Sequence, residues 1–352
     1  MTSIQRRSER AWADVTLGAL VANARTVATV SGARLLPMVK ADGYGVGATR
    51  VCQALEPLNP WGFGVATVDE ALRLRAAGIE RALLVVTPFA PHLVGRYVAH
   101  DLRPVIGDLE GLRAWLAAGQ GPFHIEVDTG MSRTGFRWDA DLSWGEMLRE
   151  AEGWEGVFTH FHSVETSPAS VHAQWERFRG VLAALPARPP LVHAANSAAA
   201  LLGHTYACDL VRPGIYLYGG TASGFAGEPV VRLRAPVIAL RQVRAGDTVS
   251  YGATWTAPQD TRVATLGIGY ADGLHRSLSG HGAVELGGRV VSILGRVTMD
   301  FIMVAADAHT AVGDVATIFG GLVSLDEQAR RAGTISYELL TAMGPRVERR
   351  YA

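Results

Sequence analysis

The feature that most restricts the fold of this chain is a regular alternation of short apolar runs with helical patterns between Arg34 and Arg212. The runs have the length of buried strands, and the segments between them repeat apolar residues at helical spacing. They lie at residues 35–39, 62–66, 82–86, 103–106, 123–127, 156–161, 191–194 and 210–212. Such alternation favours parallel strands, and about eight units favour a closed (β/α)8 barrel of the TIM type. A doubly wound open sheet is the alternative.

The pattern changes after about Gly227. Strand-like runs then alternate with Gly-Gly and Ala-Gly-Asp turns, which is typical of a mostly β region. The runs lie at 236–243, 248–251, 261–268, 283–286, 290–294, 301–305 and 314–319, and helical patterns follow at 324–331 and 336–343. We therefore predict a barrel domain over residues 12–228 and a β-rich C-terminal domain over residues 229–352 together with residues 1–11.

Composition and charge argue against several classes of protein. The 352 residues include 33 basic and 33 acidic side chains, so the chain lacks the basic field that nucleic acids and membrane surfaces attract. Cys52 and Cys208 stand in no metal-ligand spacing, so we expect buried free thiols and no metal site. No apolar run is long enough to span a membrane, and none follows the arginine-containing first ten residues as in a secretion signal. We therefore expect a cytoplasmic protein.

Lys40 is the first candidate for chemistry. It follows the apolar run 35–39 and precedes a Gly-Tyr-Gly-Val-Gly loop, which places it at the carboxyl end of a strand. Ligands of α/β proteins bind at that edge of the sheet. Burial there disfavours the ammonium form, and a neutral amine is a nucleophile for carbonyl carbons. A surface lysine at a strand end is the ordinary alternative.

Further polar residues follow other predicted strands at the same edge. They are Arg133, His160, Asn196, Ser197, Arg212 and Gly214. Asn196 and Ser197 fall where a strand meets a helix, and the amides of a helix N-terminus suit a phosphate group. Each residue taken alone has a structural explanation, such as a core histidine or a helix cap. The prediction of a site therefore rests on their shared edge with Lys40.

Motifs along essentially the whole chain resemble those of bacterial alanine racemases. They are Val-Lys-Ala-Asp-Gly-Tyr-Gly at 39–45, the segment 128–136, Asn-Ser-Ala-Ala at 196–199, Arg-Pro-Gly-Ile at 212–215, Ser-Tyr-Gly-Ala-Thr at 250–254, Gly-Tyr-Ala-Asp-Gly at 269–273 and Met-Asp at 299–300. The lysine motif alone would be shared with other pyridoxal-phosphate barrels, but the order and spacing of the set make the resemblance specific.

The resemblance implies pyridoxal 5′-phosphate attached to Lys40 as a Schiff base, with Arg212 against its pyridine nitrogen. The residues that it implies around the cofactor are Lys40, Tyr44, His160, Asn196, Ser197, Arg212, Gly214 and Ile215. Those that it implies around the substrate are Arg133, Tyr270, Met299 and Asp300. It also implies a head-to-tail homodimer in which Tyr251, Met299 and Asp300 enter the active site of the other subunit.

Racemisation removes a proton from one face of the α-carbon and returns one to the other, so we expect two bases. Lys40 is the candidate on one face, and Tyr251 is the candidate on the other. A free tyrosine has a pKa of ~10, so its phenolate needs nearby donors or cations, which His160 with Arg212 behind it would supply. The Arg212 guanidinium keeps its protons, so we also expect a weak electron sink and little transamination.

Four positions depart from the family pattern. Glu126 stands where many relatives have a carbamylated lysine, and we expect its carboxylate to pair with Arg133 and remove any dependence on carbon dioxide. Pro345 stands where some relatives have a phosphate-binding tyrosine, so we expect the phosphate site to lack that hydroxyl. Phe301 and His162 also differ from the common residues, and they leave the choice of substrate open.

The leading hypothesis is interconversion of L- and D-alanine, with D-alanine supplying peptidoglycan. A racemase of serine or of a broader set of amino acids is the closest alternative. A pyridoxal-phosphate decarboxylase is less favoured because it would need a stronger electron sink than Arg212 allows. A cofactor-binding protein without activity would not need the second domain that carries Tyr251.

Overall fold

The barrel predicted for the first part of the chain is present. The computed structural model describes residues 9–118 and 121–352. In these ranges eight parallel strands pair in the order Arg34–Leu35, Leu210–Arg212, Leu191–Asn196, Trp154–Phe158, Phe123–Asp128, Leu102–Ile106, Ala82–Pro88 and Gly62–Val65. The ring closes because the Trp61 N–H donates to the Leu35 carbonyl at 2.8 Å and Met38 forms a parallel bridge with Gly64. The closed barrel is thus confirmed, and the open sheet is excluded.

Helices between the strands cover the outside of the barrel. They are Leu17–Ser31, Ala48–Leu55, Val68–Ala76, Val94–Ala99, Leu109–Ala117, Ser143–Met147, Pro168–Ala184 and Ser197–Ala200. Capping side chains fix several of their starts. The Thr67 hydroxyl accepts from the Glu70 N–H at 3.2 Å, and the Asp108 carboxylate accepts from the Gly111 N–H at 2.7 Å. The apolar faces of these helices pack on the strands, so that core residues such as Leu20 are fully buried.

The second domain is mostly β, as predicted, and its sheet is mostly antiparallel. Its strands pair in the order Thr261–Leu266, Ile302–Ala305, Arg289–Leu294, Ala283–Leu286, Val315–Phe319, Val231–Val243, Trp12–Val15 and Glu348–Tyr351. The long strand Val231–Val243 also pairs with Thr261–Leu266, so the sheet curls back on itself. A short hairpin, Thr248–Val249 with Trp255–Thr256, and the helices Leu325–Ala332 and Ser336–Thr341 complete this part of the chain.

Both ends of the described chain meet in this second sheet. Trp12–Val15 pairs antiparallel with Val231–Val243 and parallel with Glu348–Tyr351. The last of these strands was not predicted, because three of its four residues are charged and such a sequence lacks an apolar face. Charged side chains are common on strands at the edge of a sheet, where they discourage further pairing. The domain limits at residues 228 and 229 remain a prediction.

The segment around Lys40 differs from the strand that was predicted. The strand proper covers Arg34–Leu35, and Lys40 begins a turn of left-handed backbone. The φ angles are 53° at Ala41, 53° at Asp42, 62° at Gly43 and 57° at Tyr44. Residues other than glycine disfavour this conformation because of their Cβ atom, so the turn needs support from its surroundings.

The C-terminal strand supplies part of that support. The Arg349 Nε donates to the Gly45 carbonyl at 2.9 Å, and the Tyr351 hydroxyl donates to the Val46 carbonyl at 2.8 Å. The second domain therefore holds the loop that follows Lys40 in the barrel.

Two expectations from composition concern thiols and membranes. Cys52 and Cys208 are free thiols, of which Cys52 is buried and Cys208 is only partly buried. No helix within the described ranges combines the length and the apolar character that crossing a membrane would require.

Candidate active site

A cavity opens at the carboxyl ends of the barrel strands. Its lining is formed by Met38, Lys40, Tyr44, Val86, Glu126, Arg133, Phe158, His160, Asn196, Ser197, Arg212, Gly214, Ile215 and Tyr337. Every residue predicted to surround a cofactor is in this set, and so is Arg133, which was predicted to contact substrate. The barrel thus brings together side chains that are far apart in sequence.

Lys40 lies half-buried in this cavity. Burial lowers the pKa of its ammonium, and the nearby charge of Arg133 and then that of Arg212 lower it further, while the Glu70 carboxylate opposes them. The structure therefore raises the fraction of Lys40 that is a neutral amine, which is the form that acts as a nucleophile or base.

Arg212 is the buried cation of the site, with 4% of its surface exposed. One terminal nitrogen donates to His193 Nδ1 at 2.7 Å, and the other donates to the carbonyls of Thr159 at 2.7 Å and Ala194 at 3.0 Å. Burial lowers the pKa of Arg212 to about 10, and the Glu126 carboxylate counteracts this effect. Arg212 remains a cation at neutral pH and can donate hydrogen bonds to a ligand but accept none.

Arg212 also fixes the direction of a chain of buried histidines. Because the guanidinium only donates, His193 must accept at Nδ1 and carry its proton on Nε2. That Nε2 lies 2.8 Å from His124 Nδ1, and His124 Nε2 lies 3.2 Å from a carboxylate oxygen of Glu155. Burial lowers the pKa of both histidines, so both are neutral. His193 therefore donates from Nε2 to His124, and His124 donates from Nε2 to Glu155. This chain connects the cavity to a surface carboxylate and orients Arg212.

His160 faces the cavity beside Arg212. Its Nδ1 lies 3.2 Å from the second terminal nitrogen of Arg212 and can only accept from it, through a proton shared with one of the two carbonyls, since that nitrogen has two protons for three acceptors. Burial, and after it the charge of Arg212, lower the pKa of His160 to about 3. The neutral ring therefore carries its proton on Nε2, where it is available to an oxygen atom that enters the cavity.

Ser197, Gly214 and Tyr44 form a cradle on another wall. The Ser197 hydroxyl accepts from the Gly214 N–H at 2.8 Å and from the Tyr216 N–H at 3.4 Å. A Cβ atom at Gly214 would collide with the Tyr44 hydroxyl, so glycine is required for this close approach. Burial raises the pKa of Tyr44, which keeps its hydroxyl protonated as a donor. Hydroxyl donors grouped on one wall of a cavity suit an anion such as a phosphate group.

Glu126 and Arg133 are less directly paired than predicted. The closest oxygen–nitrogen distance is 4.0 Å, which is an ion-pair contact without a hydrogen bond. Instead the Thr134 hydroxyl donates to the other oxygen of Glu126 at 2.8 Å. Burial raises the pKa of Glu126, against the opposing effects of this hydrogen bond and of Arg133. The sequence analysis missed Thr134, which lies one residue beyond Arg133.

The lack of a phosphate-binding hydroxyl at Pro345 stays a prediction, but the cavity contains a second tyrosine that was not predicted. Pro345 does not line the cavity, but Tyr337 does, and its ring lies 6.0 Å from that of Tyr44. Burial raises the pKa of Tyr337 to about 12, so its hydroxyl is a donor at neutral pH. His162 also lies outside the lining, where its ring contacts the hydroxyls of Ser163 and Ser170.

Four predicted site residues do not line the cavity of the single chain. They are Tyr251, Tyr270, Met299 and Asp300. Tyr251 is 74% exposed, Met299 is 53% exposed and Tyr270 is 43% exposed. Tyr270 and Met299 are nevertheless neighbours, because the N–H groups of Tyr270 and Ala271 donate to the carbonyls of Thr298 and Met299, each at 3.0 Å.

The loop that carries Tyr251 is also left-handed. The predicted strand at 248–251 ends at Val249, and φ is 70° at Ser250, 71° at Gly252 and 46° at Ala253. The Ser250 hydroxyl donates to the Arg296 carbonyl at 2.8 Å and ties this loop to the sheet. Tyr251 thus stands on a constrained loop with its ring in solvent.

A closed barrel followed by an antiparallel β domain is the fold of a two-domain barrel enzyme. Its cavity gathers an amine, a buried guanidinium and a cradle of hydroxyl donors, which suit an anionic ligand that reacts with amines. Residues 15–222 match the family described as alanine racemase, N-terminal domain, and residues 230–351 match alanine racemase, C-terminal domain. The chain therefore belongs to the alanine racemase family, a family of isomerases.

Individual relatives agree with this assignment. The chain is 40% identical over 351 residues to alanine racemase of Deinococcus radiodurans, covering 97% of this chain and 99% of the relative. It is 39% identical over 346 residues to that of Acidiphilium cryptum, covering 94% and 96%. The solved alanine racemase of Bartonella henselae with covalently bound pyridoxal phosphate aligns with a TM-score of 0.92 at 31% identity, over 98% of this chain and 100% of that one. The biosynthetic enzyme of Pseudomonas aeruginosa aligns at 0.91 with 34% identity over the same shares.

Proposed function

We propose that this chain interconverts L- and D-alanine with pyridoxal 5′-phosphate on Lys40, and that two copies complete each other's sites. One observation carries the proposal: Lys40 is the only lysine among the 352 residues, and it lies in the same cavity as Arg212 and the Ser197 cradle. The alanine racemase of Bartonella henselae, which holds pyridoxal phosphate covalently, has the same fold.

The residues of the cavity fit this cofactor. The hydroxyls of Tyr44, Tyr337 and Ser197 and the backbone of Gly214 would hold its phosphate, and a Cβ atom at Gly214 would collide with the Tyr44 hydroxyl. Arg212 would donate a hydrogen bond to the ring nitrogen. When bound, pyridoxal phosphate withdraws electrons from the α-carbon of an attached amino acid and makes its α-proton acidic.

Lys40 is the base that we assign to one face of the α-carbon. Its lowered pKa increases the fraction of neutral Nζ, which would take up the proton and return it from the same side. Arg133, which lines the cavity and is half-exposed, would bind the substrate carboxylate.

Tyr251 of the partner subunit is the base that we assign to the other face. Its exposure in the single chain leaves it free to enter a second copy. There the Nε2–H of His160 would donate to the phenolic oxygen and stabilise it after loss of its proton. Because the ring of His160 is neutral and backed by Arg212, it donates a hydrogen bond without giving up its own proton.

Arg212 sets the fidelity that we propose for the reaction. Its guanidinium keeps its protons, so the ring nitrogen stays neutral and negative charge accumulates less on the cofactor ring. We expect protonation at the α-carbon to be favoured and transamination to be rare. Met299 and the other exposed residues of the second domain would limit the side chain, and a slightly larger pocket would also admit serine. The same proposal places the enzyme in the cytoplasm, where D-alanine would supply peptidoglycan.

Exchange of the α-hydrogen in deuterium oxide tests this function. The wild-type chain loaded with pyridoxal phosphate should exchange both alanine enantiomers and racemise them, with serine slower. Loss of carbon dioxide from the substrate would favour a decarboxylase, and cofactor binding without exchange would favour a binding protein. After borohydride reduction, Lys40→Ala should lose the mass increment of the cofactor, since no other lysine exists.

A further inference from the structure

We propose that Glu70 is a positioning residue for Lys40, because its carboxylate bridges the start of the left-handed turn to the end of a barrel strand. This inference rests on the proposed function of Lys40. Glu70 was not among the residues predicted for the site, and its side chain does not line the cavity.

The two oxygens of Glu70 bind different parts of the backbone. Oε1 accepts from the Ala41 N–H at 2.8 Å, and Oε2 accepts from the Ala66 N–H at 2.7 Å. Ala41 directly follows Lys40, and Ala66 directly follows the strand Gly62–Val65. The carboxylate therefore ties the peptide after Lys40 to a fixed point of the barrel. Hydrogen bonds to a charged acceptor are stronger than those between neutral groups.

The turn needs such a tie because its backbone is strained. Ala41, Asp42 and Tyr44 have φ values of 53°, 53° and 57°, a region that is unfavourable for residues with a Cβ atom. Residues remain in this region only when surrounding contacts hold them there. Without the bond from Ala41, the peptide after Lys40 would be free to relax, and the amine would move with it.

The far end of the turn is held independently. The Asp42 carboxylate accepts from the Ala48 N–H at 2.9 Å, and Arg349 binds the Gly45 carbonyl. Loss of the Glu70 carboxylate should therefore loosen the start of the turn, next to Lys40, and leave its exit in place. The Glu70 charge also raises the pKa of Lys40 against the effect of burial, so its loss should leave more of the amine neutral.

The test compares Glu70→Gln with two control variants in the full-length chain. Glutamine has the same shape, but its amide nitrogen cannot accept a hydrogen bond, so one of the two N–H groups loses its partner. Thr67→Ala removes the cap of the same helix and leaves the Glu70 carboxylate intact. Asp69→Asn removes a neighbouring carboxylate whose partner is Arg96 on the surface.

Two readouts separate positioning from general stability. In the holoenzyme, Glu70→Gln should lower kcat about tenfold or more with KM changed less than about twofold, because displacement of a catalytic group affects the chemical step. In the chain freed of cofactor, trinitrobenzenesulfonate should label Lys40 at least about threefold faster than in wild type. The α-amino group serves as the internal reference, since Lys40 is the only lysine.

The controls decide the interpretation. Thr67→Ala and Asp69→Asn should lower the melting temperature or leave it unchanged, with wild-type kcat and labelling ratio. Glu70→Asp should recover part of kcat, because it keeps a charged acceptor for one of the two N–H groups. If Glu70→Gln matches Thr67→Ala in both readouts, the positioning role is refuted. The labelling needs no cofactor, so absence of racemase activity in wild type would refute the proposed function without deciding the role of Glu70.

Discussion

The two candidate bases stand on strained loops with opposite surroundings. Lys40 precedes a left-handed turn that Glu70, Asp42 and Arg349 hold inside the chain, among buried charges that change its pKa. Tyr251 also has left-handed neighbours, but its ring is 74% exposed. The barrel therefore fixes the position of Lys40 and shifts its pKa within one chain. The β domain carries Tyr251 on its surface, and our proposal assigns the environment of its phenol to another molecule.

The largest expected effect comes from changing Tyr251, the exposed candidate base. Tyr251→Phe should lower racemisation about 10²- to 10⁴-fold, the usual contribution of a general base or acid. Exchange of the α-hydrogen should persist with only one alanine enantiomer, because Lys40 still acts on its own face. Chiral chromatography and proton NMR in deuterium oxide measure both. Trp138→Phe alters another exposed aromatic residue as a control, and equal exchange of both enantiomers by Tyr251→Phe would contradict the assignment.

On the buried side, Arg212→Gln should be the most damaging change outside Lys40. Glutamine cannot satisfy His193, His160 and the carbonyls of Thr159 and Ala194 together, and loss of a buried charged partner destabilises a protein by roughly 3–5 kcal/mol. Urea denaturation measures this loss. Arg188→Gln on the surface should change stability by less than about 1 kcal/mol. Equal effects of the two variants would show that the buried network does not stabilise the barrel.

Low pH should lower the free energy of unfolding of the barrel through its buried histidines. The pKa of His160 falls from 6.5 to about 3 on folding, and those of His124 and His193 also fall. Below pH 6.5 the unfolded chain therefore binds more protons than the folded one, and the free energy of unfolding decreases as the pH drops towards 3. Well below pH 6.5, each histidine contributes about 1.4 kcal/mol per pH unit. Glu126, whose pKa is raised, offsets part of this loss.

Denaturation with urea at a series of pH values measures that slope. His160→Asn should reduce the slope of the free energy of unfolding against pH by the contribution of one histidine. His92→Asn, which alters a histidine outside the cavity lining, is the matched control. A slope that is the same in wild type and His160→Asn would mean that His160 is protonated in the folded chain.

The smallest expected effect concerns Glu126. Glu126→Gln should raise KM for alanine about threefold to tenfold with little change in kcat, because a carboxylate 4.0 Å from Arg133 orients that side chain without touching the reacting atoms. Activity in buffer freed of carbon dioxide should equal that in air. A loss of activity without carbon dioxide would contradict the view that the Glu126 carboxylate takes the place of a carbamate.

Sequence reasoning was most successful where the physics is local. Apolar runs of strand length alternating with helical patterns predicted the barrel, and strand ends predicted the side chains of its cavity. It failed where partners are distant in sequence. His124 and His193 occupy apolar strands, and a histidine in such a strand is a signal of a buried polar network that was not used. Tyr337 and Glu70 were missed because neither belongs to a motif from which the site was predicted.

Complementation between two inactive chains tests the shared site most directly. Lys40→Ala and Tyr251→Phe should each be inactive as racemases alone. When the two are unfolded, mixed in equal amounts and refolded, about half of the dimers should be hybrids, each with one intact site, giving about a quarter of wild-type racemase activity. Activity no greater than that of the separate variants would mean that Lys40 and Tyr251 do not meet across two subunits.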